Sequence, residues 1–194
     1  MLRVYRGMKL GMRRRHKKRV PTRIQQPLET PGGLNEVWSM DFMSDSLMGV
    51  RKFRTFNVMD DCTREALAIE IDTSLSSKRI IRALEGLIVQ RGKPQVIRTD
   101  NGPEFTSKEF EWWCKEQEIE IQFIQPGRPM QNGYIERFNR VYREAILDAY
   151  LFTDIREVRA LTKEWMEEYN QRRPHEALQN QTPSERKQQI LSLT

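Results

Sequence analysis

With 194 residues, 38% hydrophobic and 31% charged, the chain is long enough for one good core plus a tail or subdomain, and its mean hydropathy of −0.73 marks a heavily solvated surface. No apolar run approaches the roughly 18 residues of a membrane span and no signal-peptide region opens the chain, so a soluble intracellular protein is expected. Cys62 and Cys114 have neither zinc-ligand spacing nor the density of a disulfide scaffold, and are expected to be reduced, half-buried packing residues.

The charge is concentrated at one end. Residues 1–28 hold ten Lys or Arg and no acid, and subtracting that +10 from the overall +6 leaves −4 for the rest. The block Arg13, Arg14, Arg15, His16, Lys17, Lys18, Arg19 reads as an arm for a polyanion, drawing affinity from counterion release rather than base reading. Pro21, Pro27, Pro31 and Gly32-Gly33 mark a linker, so residues 1–33 form arm and linker, 34–185 a core domain and 186–194 a C-terminal tail.

Within the core, 35–43, 53–59 and 64–71 read as three strands joined by tight polar turns at Gly49 and Asp60-Asp61, an antiparallel meander. Ser76 caps a helix that Gly92 stops, Val96-Ile97 form a short strand ending at Asp100, 105–117 reads as a helix, and Ile119, Ile121 and Phe123 as a fifth strand. A loop with Pro126, Gly127, Arg128 and Pro129 precedes a long helix over 132–149, and another runs over 154–169. Three strands followed by helix, strand, helix, strand make a mixed α/β sheet.

Three carboxylates stand out on this outline. If Trp38, Met40 and Phe42 face one side of the first strand, Asp41 faces the other, a poor place for a charge without a cation. Asp100 ends a strand, where α/β sheets expose functional groups, and Glu136 begins a helix with Arg140 and Arg143 at i+4 and i+7. Singly, each has a bland reading as strand edge, turn or surface ion pair. Together they suit divalent metal ions held roughly 3.5–4 Å apart by hard oxygen ligands. Asp60-Asp61, the competing acids, read as a turn with Arg64 as local ion partner. Trp112-Trp113 are expected to cover the sheet, Tyr134 and Phe138 to anchor the helix of Glu136, and His175 to be a structural contact.

The stretches Trp38-Ser39-Met40-Asp41-Phe42, Arg98-Thr99-Asp100-Asn101-Gly102-Pro103-Glu104-Phe105 and 125–139 closely resemble the integrase catalytic core of bacterial insertion-sequence transposases. Tyr169-Asn170-Gln171-Arg172-Arg173-Pro174-His175-Glu176-Ala177-Leu178, followed by Thr182-Pro183, resembles the C-terminal signature of the IS3 family. The resemblance covers roughly residues 35–185. It implies a ribonuclease-H-like five-stranded mixed sheet flanked by helices, a transposase that cleaves and joins DNA, Asp41, Asp100 and Glu136 as catalytic metal ligands, and two Mg2+ or Mn2+ ions. It further implies a homo-oligomer near the bacterial nucleoid, with Arg128, Asn132, Arg140 and Arg143 joining the arm on DNA. The family carries a helix-turn-helix region ahead of the core. Here only Val4-Tyr5-Arg6 and the basic run resemble its end, so a helix-turn-helix partner from the same element is expected to recognise the ends. A ribonuclease-H-like nuclease, or a noncatalytic DNA-binding or inhibitory fragment, are the alternatives.

Overall fold

The computed structural model of the chain describes residues 30–49, 51–125 and 129–193. Its centre is strand β1 (Val37–Ser46), whose alternation settles both faces of the sheet. Trp38 and Met40 are fully buried on one side; Asp41 and Met43 point to the other. β1 pairs antiparallel with β2 (Lys52–Asp60), which pairs antiparallel with β3 (Ala66–Asp72). On its other edge β1 runs parallel to β4 (Val96–Thr99), which runs parallel to β5 (Glu120–Phe123), giving the order β3-β2-β1-β4-β5. The antiparallel meander and the mixed sheet are as expected. β1 starts later and runs further than expected, because Asn35 takes a left-handed turn, φ 57°, with its amide bonded to the Arg91 carbonyl and the Trp38 indole.

Two helices cover the Trp38 face: α1 (Ser77–Arg91), ended by Gly92 at φ 89°, and α2 (Lys108–Glu116). α2 begins three residues later than expected because the Ser107 hydroxyl accepts from the Phe110 N–H and fixes the first turn there. The opposite face is covered by α3 (Gly133–Tyr142) and α4 (Ile155–Gln171). The expected long helix does not stay α-helical. It continues from α3 into a π-turn, Arg143–Leu147, closed by Asp148 N–H to the Arg143 carbonyl at 2.8 Å. α4 opens on a capping box between Asp154 and Glu157. α5 (Pro183–Leu193) runs through residue 185, and Lys187 pairs with Glu65 at 3.1 Å.

Phe138 packs on Trp165 and Tyr169, ring centres 5.7 and 5.1 Å away, locking α3 to α4 as the sequence suggests. Trp113 is buried with Phe110 and Cys114, but Trp112 is 63% exposed and stands outside that core. Both cysteines are free, and fully rather than half buried. No helix among the described residues is long and apolar enough to cross a membrane.

Candidate active site

Parallel pairing of β1 with β4 sets the first two acids side by side. The register runs Val37–Val96, Trp38–Ile97, Ser39–Arg98, and carrying it two residues on brings Asp41 level with Asp100, where neighbouring strands lie about 4.8 Å apart. Asp100 sits just past β4, its Oδ1 accepting from the Gly102 N–H at 3.0 Å in a tight turn. A Cβ at Gly102 would lie 3.0 Å from that same oxygen, so a larger residue there would push the Asp100 carboxylate by a few tenths of an ångström. The third acid arrives on α3. Asn139 donates from Nδ2 to Asp41 Oδ2 at 2.8 Å, which places α3 over β1 on the Asp41 side, with Glu136 one turn back on the same stripe.

The electrostatics agree with this placement. Burial first, then the charges of Asp100 and Glu136, raise the Asp41 carboxyl from 3.8 to about 6 against the Phe42 N–H and the Asn139 amide, which lower it. Burial alone raises Glu136. Among the described residues no three His, Cys, Asp or Glu side chains stand where one ion could be held, so the acids share a field without sharing a centre. Mutual repulsion of like charges has that sign.

An integrase core domain family matches residues 33–129, and a second family of that description matches residues 117–183. The chain belongs to the integrase core family. This integrase core is 40% identical over 183 residues to the 31.7 kDa protein of insertion element IS407 from Burkholderia multivorans, covering 94% of this chain and 66% of that protein. It is also 40% identical over 173 residues to the 39.2 kDa protein of insertion element IS476 from Xanthomonas euvesicatoria, covering 89% of this chain and 50% of that one. It therefore spans between half and two thirds of those relatives. Among solved structures, the catalytic core domain of HTLV-2 integrase, a dimeric form in complex with magnesium, superposes with a TM-score of 0.61 at 22% identity over 78% of this chain and 95% of that one. At that identity the likeness speaks for the fold, the ribonuclease-H-like mixed sheet of retroviral integrase cores.

The other expected site residues of the integrase core are scattered. Arg13, Arg14, Arg15, Lys17, Lys18, Arg19 and Arg128 lie outside the described residues. Arg140 is exposed on α3. Arg143 opens the π-turn and gives its guanidinium to the Ser44 carbonyl at 3.0 Å, Asp45 at 3.3 Å and Asp148 at 3.4 Å, so it braces α3 against the end of β1. Asn132 is 2% exposed and donates to the Met40 carbonyl at 3.4 Å, facing the sheet. Asp60 and Asp61 do form the turn, but the expected partner was wrong. Asp61 pairs with Arg98 at 2.6 Å, while Arg64 lies over the Tyr134 ring at 3.3 Å.

Asn139 escaped the sequence reading, as did the residue that orients it. Asn57, fully buried in β2 opposite Asp41, donates from Nδ2 to Asn139 Oδ1 at 2.7 Å, turning the Asn139 amide nitrogen toward Asp41. An asparagine inside a strand and another inside a helix are each against propensity, and that was the available signal. Arg54 was missed too. It pairs with Glu104 and lies 4.1 Å over the Phe42 ring, tying the segment after Asp100 to the residue after Asp41.

Proposed function

We propose that the chain is the catalytic part of an IS3-family transposase that cuts and joins DNA by metal-assisted phosphoryl transfer, with Asp41, Asp100 and Glu136 holding the ions. The observation that carries this is the electrostatic one: Asp41 feels the charges of both other acids from across the sheet and from α3. Three like-charged carboxylates acting on one another across a half-buried strand centre, a strand end and a helix start repel, and a cation between them removes that cost.

The donor set fits Mg2+ or Mn2+, being all hard oxygen with no cysteine or histidine in it. Bound there, a pair of such ions would activate the attacking oxygen and stabilise the leaving 3′-oxygen of DNA. The protein's part is positioning. Asn57 and Asn139 fix the Asp41 carboxylate, Gly102 fixes Asp100, and α3, clamped by Phe138 on α4, carries Glu136. The carboxylates serve as ligands, so no covalent enzyme intermediate is required. DNA, further copies of this chain and a helix-turn-helix partner from the same element are the proposed partners, and the basic residues 13–19 the proposed DNA arm.

The test is a strand assay in Mg2+ and in Mn2+ on duplexes carrying the element's ends, with pre-cleaved ends added to separate a transferase from a nuclease. Asp41→Asn, Asp100→Asn and Glu136→Gln should each lower cleavage and joining by several orders of magnitude while DNA binding stays, because cations hold the DNA. Near wild-type cleavage by any of the three sinks the assignment, and cleavage without joining of pre-cleaved ends makes the protein a nuclease.

A further inference from the structure

The Tyr169 to His175 segment has no task in the reaction above, yet it gathers positive charge. Arg64 lies 3.3 Å over the Tyr134 ring on α3. Arg137 is three residues along that helix, on the same face. Phe138, beside it, packs edge-on to Tyr169 at 5.1 Å, and Tyr169 packs edge-on to His175 at 4.9 Å, two residues after Arg173. Arg64, Arg137 and Arg173, from three separate elements, all act on this one pair of rings. Among the described residues none of the three arginines makes an ion pair. The acid whose ionisation registers Arg64 is Asp61, already committed to Arg98.

Two polar atoms are left over there. Arg64 is only 7% exposed, and its Nη1 has no hydrogen-bond partner; the buried Nε2 of His175 has none either. A buried guanidinium without a counter-charge is expensive, and an anion is what removes that cost. Residue 30 meets the same spot, with the Thr30 hydroxyl 2.7 Å from the Tyr134 hydroxyl. Like charges brought together from three elements point to a polyanion.

We propose that Arg137 and Arg173, with Arg64 beneath them, form a second DNA-phosphate site, on the flank of α3 next to the Glu136 stripe. Arg137 and Arg173 are exposed and make the contact, while Arg64 adds its charge from the Tyr134 ring face. The site holds the backbone of DNA engaged at the acids and reads no bases. It rests on the strand-transfer reading, and the test separates the two.

Full-length wild type, the double variant Arg137→Gln/Arg173→Gln and the double variant Arg137→Lys/Arg173→Lys are titrated with a fluorescein-labelled DNA duplex over a salt series. Both positions are exposed, so the fold is spared, and matching melting temperatures check it. Loss of two phosphate contacts should reduce the slope of log affinity against log salt by about 1.8 and weaken binding roughly tenfold at low salt. The lysine pair should restore the slope, since point charges release the same counterions. An unchanged slope in the glutamine pair overturns the site, whatever the wild type does in the strand assay. A wild type inert in Mg2+ and Mn2+ defeats the strand-transfer reading instead, and the slope still decides this one.

Discussion

At the level of single residues, two aspartates shifted in the same direction have opposite meanings. Asp41 is raised to about 6 by burial and by two neighbouring anions; Asp61 is raised to about 6 by burial against the Ser39 hydroxyl and Arg98, which lower it. For Asp41 the folded-state value lies above the ordinary 3.8, so the folded protein holds the proton more tightly than the unfolded chain. Its contribution to stability is present below about pH 4 and is lost as pH rises through about 6. Asp41→Asn escapes that loss. In chelator the variant should match wild type near pH 4 and exceed it by on the order of 1–3 kcal/mol at pH 7, read from melting temperatures across the pH series. A flat difference would mean that the fold does not raise the Asp41 carboxyl. Asp61→Asn should do the reverse. It strands the Arg98 guanidinium, 8% exposed, without its partner, and breaking a buried pair costs about 3–5 kcal/mol. A lower melting temperature with metal-dependent activity kept at permissive temperature marks a scaffold acid; a stable but inactive Asp61→Asn would move the active site there.

At the level of elements, the Tyr169-Asn170 signature has a structural half. Asn170, near the end of α4, accepts from the Ala66 N–H at 2.8 Å and donates to the Ala66 carbonyl at 2.9 Å, standing in for a neighbouring strand at the start of β3. Asn170→Ala would orphan both backbone groups in a buried place, at about 2–4 kcal/mol, and should lower the melting temperature without changing the salt dependence of DNA binding. A shift under about 0.5 kcal/mol would show that water replaces the amide without penalty. This bond also shows where sequence reading stops. Alternation and helix-end residues made the five strands, α1 and α4 legible, because Trp38, Met40, Gly92 and Asp154 act within a few residues of themselves, although Ser76 stands at the start of α1 without a side-chain cap bond. The level placement of Asp41 and Asp100 follows from strand order, and the Asn57–Asn139–Asp41 chain from where α3 crosses the sheet. Both are pairings across 40 to 100 residues, and no local pattern encodes them. The π-turn after Tyr142 and the pairing of Asp61 with Arg98 were illegible for the same reason: tertiary packing chose among locally equal options.

The whole molecule divides its charge by place. Beyond residue 28 the chain carries a net −4, and several of its cations are spent internally, Arg91 on Glu65 and Arg159 on Asp72 among them. Three acids at the active site repel phosphate besides. On the proposed reading, long-range attraction for DNA falls to the ten basic residues of 1–28, with the exposed arginines of α3 and the segment after α4 acting at short range. Deleting residues 1–28 should leave the core folded. The β1 entry is held from residue 35 onward by the Asn35 N–H on Asp60 at 2.9 Å and by Asn35 on Arg91, and none of these bonds needs the deleted segment. The same deletion should flatten the salt dependence of DNA affinity far more than neutralising Arg137 and Arg173, by up to about 0.9 per lost phosphate contact, and slow association most at low salt. An unchanged slope, with the melting temperature preserved, would show that the arm is a bystander and would return the task of gathering DNA to the core's own arginines.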